Sequence, residues 1–187
     1  MGTVTAGISA GILAGRIAGG RLADEIGWRE MLLVFAAACV LAAVCCLVFL
    51  PAGRASADRR YLTTLRSLPG LFVGYAALRI AAFRGALWFF AFCAMWAGLA
   101  AALSAPPYSY SAERIGLYAL AGISGILATQ VAGAWTDRVG ARKVILAGLV
   151  LACAAAIVAG FTLASTVTTL VCLALFDAGL FAAQVAN

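Results

Sequence analysis

Asp177 is the only acid placed well inside a long apolar run. Burial disfavours the charged form of a carboxylate, so one held in an apolar medium can take up and release a proton. The alternative is a carboxylate paired with a donor on a neighbouring helix, or one near the inner surface. Arg16 interrupts a second apolar run, where it either snorkels to an interface or lines a polar path. Trp96, Gln130 and Gln184, with Arg84 and Tyr118, could face such a path; Trp96 and Gln130 could also be helix–helix contacts. Hydrolytic or metal chemistry finds no support. The chain has no histidine, and its six cysteines (Cys39, Cys45, Cys46, Cys93, Cys153 and Cys172) form no C-x-x-C pair and lie in apolar runs, as small packing residues do. Ser104, Ser109 and Ser111 near Glu113 have no base to complete a nucleophilic site. No metal, no cofactor and no enzymatic activity are expected.

These groups need apolar carriers. The 187 residues are 65% hydrophobic and 11% charged, with a mean hydropathy of +1.07. A water-soluble fold of this size could not hide so much apolar surface, whereas a lipid bilayer solvates it. The net charge of +6 falls in short clusters between apolar runs, not on a solvated basic face, so nucleic-acid binding is excluded. A crossing helix needs about 20 mostly apolar residues. Six stretches qualify, at 4–22, 31–50, 86–103, 115–135, 144–163 and 167–186. The segment 61–83 carries Arg66, Arg79, Pro69 and Gly70 and reads as a basic loop leading into an interfacial helix. Arg54, Arg59, Arg60, Arg66, Arg79 and Arg84 separate spans two and three; Arg138, Arg142 and Lys143 separate spans four and five. Six spans put both basic loops on the cytoplasmic side, with both termini. A seventh span at 61–83 would split them.

The first span holds Gly7, Gly11, Gly15 and Gly19 at i+4 spacing. Such a stripe lets another helix approach closely, either as simple packing or as a surface on which helices rock. After span four the chain reads Gly133-Ala134-Trp135-Thr136-Asp137-Arg138-Val139-Gly140-Ala141-Arg142-Lys143. Glycine allows a sharp turn, the aspartate can face a helix start, and the basic residues hold the loop at an anionic surface. This segment resembles the cytoplasmic loop signature of the major facilitator superfamily, with Gly133, Asp137, Arg138, Gly140, Arg142 and Lys143 on the pattern and Trp135 at its usual leucine. The stretch Gly15-Arg16-Ile17-Ala18-Gly19-Gly20, then Gly27-Trp28-Arg29, is similar to the family's fifth and sixth helices. Trp96 lies in a likeness of the seventh, and Phe176-Asp177-Ala178-Gly179 in a likeness of the tenth, as in bacterial sugar or drug efflux permeases.

The resemblance implies an all-α integral membrane fold, six helices of a twelve-helix plan. Residues 1–53 would end the N-terminal bundle, 54–84 form a basic cytoplasmic linker with an interfacial helix, and 85–187 begin the C-terminal bundle. It implies that Asp137 faces the start of the eleventh helix, outside this chain. The partners expected are the bilayer of the plasma membrane, a small solute, protons, and the remaining helices of a parent chain. The function implied is proton-coupled efflux or uptake by alternating access in that parent; a non-transporting scaffold or inert fragment is the alternative. A second stretch, Gly20-Arg21-Leu22-Ala23-Asp24-Glu25-Ile26-Gly27-Trp28-Arg29, fits the loop pattern loosely. Only three spans separate it from the first, so the two lie on opposite sides, and it reads as a look-alike in an outer loop.

Overall fold

The computed structural model describes residues 2–49 and 61–187, without the side chains of 2–6, 8, 9 and 61–64. Leu50 and the linker residues Arg54, Asp58, Arg59 and Arg60 lie outside the described residues. The apolar runs are helical, because in lipid every backbone N–H and C=O must pair within its own segment. In chain order they are α1 (Gly2–Ile26), α2 (Trp28–Phe49), α3 (Tyr61–Gly74), α4 (Ala76–Ser104), α5 (Ala112–Leu117), a 3-10 turn (Tyr118–Gly122), α6 (Ile123–Val139), α7 (Ala141–Thr162) and α8 (Thr166–Val185).

Five helices among the described residues are long and apolar enough to cross a membrane: α2, α4, the continuous stretch Ala112–Val139, α7 and α8. They coincide with five of the six expected spans. The expected span at 4–22 falls in α1, whose 25 residues are long enough but are not among those five, because glycines and Arg16 dilute its apolar content. The expected interfacial segment is in two pieces. Helix α3 ends at Gly74, Tyr75 is extended (φ −115°, ψ 103°), and α4 starts at Ala76, ahead of the expected 86. The break is held by Arg79, whose guanidinium donates to the carbonyls of Phe72 (3.1 Å) and Val73, the last-turn acceptors a helix leaves bare.

Consecutive long helices run antiparallel. The turns at Gly27 and Gly140 are single glycines with φ +92° and +88°, a region that L side chains avoid. Asp24 bonds to the start of α5 and Tyr118 to Thr166 (3.4 Å), so the Gly27 turn, the α4–α5 loop and the α7–α8 turn share one end. At the other end Asn187 donates to the Ala81 carbonyl (3.4 Å), and Ala186 packs with Ala132 and Val144 beside the Gly140 turn.

Helix α8 is central. It buries Thr169, Cys172, Leu173, Phe176, Asp177, Gly179, Leu180 and Ala183, whereas α2 buries no residue. Two clusters pack around it: Phe92, Ala152, Ala155, Phe176 and Leu180, and Leu99, Leu103, Tyr118, Ala121 and Leu173. Helix α8 meets α7 at glycine. A Cβ on Gly148 would sit 2.5 Å from the Gly179 carbonyl oxygen. Ser124 ties α6 in by donating to the Ala174 carbonyl (2.7 Å).

Among the described residues the glycine stripe of α1 meets another helix only at Gly19. Gly7, Gly11 and Gly15 have nothing within 4 Å of a Cβ position, and Gly19 rests on Phe35 (3.3 Å) and Met31 of α2. The backbone approach is made one residue on. A Cβ on Gly20 would strike the Ala112 carbonyl, and one on Gly116 would lie 2.8 Å from the Arg16 carbonyl oxygen. Neighbouring residues differ by about 100° around a helix, so the face that meets α5 is not the face with the i+4 stripe.

Candidate functional site

Three expected path residues converge. Arg16 of α1, Trp96 of α4 and Asp177 of α8 line one cleft with Phe92, Gly122 and Phe181. Trp88, Phe92 and Trp96 recur every four residues and so share a face of α4. Trp88 stacks on Phe92 (centroids 5.6 Å, 5° between planes), and Phe181 meets both rings edge-on at 5.4 and 6.0 Å. The Trp88 indole N–H donates to the Leu180 carbonyl (2.7 Å), which fixes the register of α4 on α8.

The Arg16 guanidinium carbon lies 3.9 Å from the Trp96 ring centroid and 5.1 Å from that of Phe92. A cation over an aromatic face gains about 2 kcal/mol when desolvated. An arginine deep in a membrane helix costs roughly 2.5–3.5 kcal/mol. The two rings therefore offset much of the burial of this charge without an ion pair. Asp177 shares the cleft, 1% exposed, with no Arg16 nitrogen within 4.0 Å of its carboxylate oxygens. Asp177 Oδ1 and Trp96 Nε1 are buried and have no hydrogen-bond partner among the described residues. Such atoms are costly to leave unmet, by about 1–3 kcal/mol. They share the cleft as neighbouring donor and acceptor, and the Trp96 indole acts electrostatically on the Asp177 carboxyl.

The opposite wall is irregular. Between α5 and α6 the helix tightens into the 3-10 turn Tyr118–Gly122, the kind of mid-helix departure that marks a hinge. Gly122 ends it, and a Cβ there would lie 3.5 Å from Asp177 Oδ2. Only about 20 Å³ of the cleft is open, room for no more than a water molecule. The cleft is narrow in this structure.

Two other expected path residues lie elsewhere. Gln184 is exposed and lines a separate cavity of about 310 Å³ with Arg84, Trp88 and Asn187. Gln130 is exposed on α6 and is not part of the Asp177 cleft. Phe92, Phe181 and Gly122 are absent from the sequence-based expectation. The every-fourth-residue aromatic pattern on α4 was the available signal for Phe92.

The loop signature forms the Gly140 turn. Gly140 closes α6 and opens α7, while Asp137, Arg138, Arg142 and Lys143 are exposed around it. Asp137 makes no hydrogen bond or ion pair among the described residues. Gly133, one turn earlier, has nothing within 4 Å of a Cβ position.

Residues 1–185 match the Major Facilitator Superfamily. The chain belongs to this superfamily. Its match covers both the Arg16–Asp177 cleft and the Gly140 turn. The probable transporter SCO4007 of Streptomyces coelicolor is 34% identical over an alignment of 190 residues, covering 98% of this chain and 43% of that protein. The putative uncharacterized transporter YgaY of Escherichia coli K12 is 30% identical over 151 residues, 81% of this chain and 38% of that protein. The chain thus spans about two-fifths of the length of these relatives. No solved structure matches. Major facilitator proteins are multi-pass membrane transporters, not enzymes, in agreement with the apolar helices found here.

Proposed function

We propose that this segment supplies helices five to ten of a twelve-helix solute transporter of the plasma membrane, with both its ends on the cytoplasmic side. In this reading residues 1–53 end the N-terminal bundle, 54–84 link the bundles along the cytoplasmic surface, and 85–187 begin the C-terminal bundle. The solute crosses by alternating access, and Asp177 carries the coupling proton. The observation behind this is the cleft itself. A carboxylate buried at the centre of α8, its Oδ1 unmet, faces an arginine contributed by α1 from the other bundle. Transporters of this construction place their sites where bundles meet and where a helix departs from regularity, and the 3-10 turn against Asp177 is such a departure.

The arrangement gives each group a task. Protonating Asp177 removes the negative charge that Arg16 feels across the cleft and frees the guanidinium for another acceptor. Release of the proton restores the attraction. The test is proton movement in proteoliposomes of the twelve-helix protein, loaded with a pH-sensitive dye and given monosaccharides or ethidium as trial solutes. Asp177→Asn should abolish solute-driven proton flux while the protein still folds. Unchanged flux with unchanged pH dependence would remove Asp177 from the mechanism.

A further inference from the structure

The stretch from Gly20 to Gly27 looks like the signature loop at the wrong end of the molecule, and the structure gives it a partner. The two turns are built alike. Gly20-x-x-x-Asp24-x-x-Gly27 matches Gly133-x-x-x-Asp137-x-x-Gly140 in spacing, and each ends on a positive-φ glycine. Asp137 has no partner among the described residues, but Asp24 has two. Its Oδ1 accepts the Ala112 amide (3.0 Å) and its Oδ2 the Glu113 amide (2.7 Å).

Those amides have no other acceptor among the described residues. Ser111 Oγ takes the Arg114 amide (3.2 Å), and the first intrahelical bond runs from Ile115 to the Ser111 carbonyl (3.0 Å). Neighbouring charges are engaged elsewhere: Arg21 with Glu25 (2.8 Å), and Arg114 over the Tyr110 ring (3.7 Å). Beneath Asp24, Gly20 and Gly116 bring the two backbones together. Helix α1 meets the helices after α2 through α5, the 3-10 turn and α6, and through Arg16 against α4, so this crossing is part of the seam between the two groups of helices. Asp24 lies two turns beyond Arg16, about 12 Å along α1, between the cleft and the end with the Gly27 turn.

We propose that Asp24, held across the first turn of α5, is a latch that shuts the Arg16–Asp177 cleft from the end carrying the Gly27 turn. The inference rests on the alternating-access reading. The contact suits a device that must open. It is charge-assisted and therefore strong when made. It is also exposed to water, which can solvate the carboxylate and both amides after release. Directly beneath it the two helices meet at glycine backbone, Gly20 against Ala112 and Gly116 against Arg16.

The test is the accessibility of Ala119, a buried wall residue of the cleft. Ala119→Cys is placed in a chain whose six native cysteines are alanine, and a membrane-impermeant maleimide is added from the Gly27-turn side. Ala155→Cys, buried at the α7–α8 contact away from the latch, reports on the fold. Asp24→Ala should speed labelling at position 119 about tenfold, the effect of losing one charge-assisted pair, and leave position 155 protected. Asp24→Asn, which keeps one acceptor, should fall between, and Glu25→Gln should change nothing. An unchanged rate at 119 overturns the latch, as does a parallel rise at 155, which would make Asp24 a fold determinant only. Because the readout needs no solute, its failure is distinguishable from failure of the Asp177 reading.

Discussion

Asp24 and Asp177 are both aspartates in or beside apolar helices, yet their surroundings give them different work. The backbone amide of Glu113, then Ser111 and the Ala112 amide, hold the Asp24 carboxylate below its ordinary range. Arg21, Glu25, Glu113 and Arg114 are the charged groups around it. A depressed folded-state value means that the contact stabilises above the unfolded value of about 4. The stabilisation is lost only as pH falls through the lower folded value. The Asp24 contact should therefore hold from neutrality to about pH 4 and open only in stronger acid, measured as the distance between spin labels on α1 and the α4–α5 loop; opening near pH 6 would implicate another group. Trp96 makes a different prediction. Its ring carries the Arg16 guanidinium, so Trp96→Leu should cost about 1–2 kcal/mol more than Trp96→Phe, which keeps a π face. Equilibrium unfolding in detergent measures the difference. Arg16, Trp96 and Asp177 were legible in the sequence because a polar or amphipathic type inside an apolar run is an anomaly. Phe92, Phe181 and Gly122 were not, since aromatic and small residues on apolar helices look the same facing lipid or facing a site. Gln130 and Gln184 show the converse: polar type alone did not give them a place in the cleft.

Glycine spacing predicts where helices can meet, and the helices decide where they do. The i+4 run from Gly7 to Gly19 is the most regular small-residue pattern in the chain, yet its first three members touch nothing among the described residues. The tight crossings use Gly20 with Gly116 and Gly148 with Gly179, single glycines with no i+4 glycine on their own helix face. A crossing needs two bare backbones at one height, and one sequence position says nothing about the height of its partner. Gly148→Leu or Gly179→Leu should separate α7 from α8 and lower stability by about 1–3 kcal/mol or more, visible as an earlier thermal transition of the detergent-solubilised protein. Gly11→Leu, with open space around it, should leave that transition within about 0.5 kcal/mol of the parent. Element existence was more legible than element limits. Five of six spans were recognisable from apolar length alone, but the start of α4 was not. The arginines that suggested a loop, Arg79 and Arg84, lie on helix, and Arg79 satisfies the carbonyls of the preceding one.

At the scale of the molecule, the basic residues decide how these helices sit in a bilayer. Helix α3 has 14 residues, about 21 Å at 1.5 Å per residue, short of the roughly 30 Å hydrocarbon layer. Helix α4 has 29 residues, about 43 Å, more than the layer needs, so its first turns with Arg79 and Arg84 can project beyond it. In the reading proposed above, the chain crosses without a seventh span. Arg84, Arg138, Arg142 and Lys143 lie at the end with the Gly140 turn, with Asp137, while Asp24, Glu25 and Glu113 lie at the end with the Gly27 turn, beside Arg21, Arg29 and Arg114. An anionic inner leaflet attracts the first group. Cysteines introduced at positions 66 and 142 should react with an impermeant reagent only from the cytoplasmic side, and one at position 113 only from the opposite side. Positions 66 and 142 on opposite faces would mean that α3 and the start of α4 cross as a span of their own. Asp24 would then lie on the face opposite Ala112 and Glu113, and neither the latch nor the Gly20–Gly116 crossing could form.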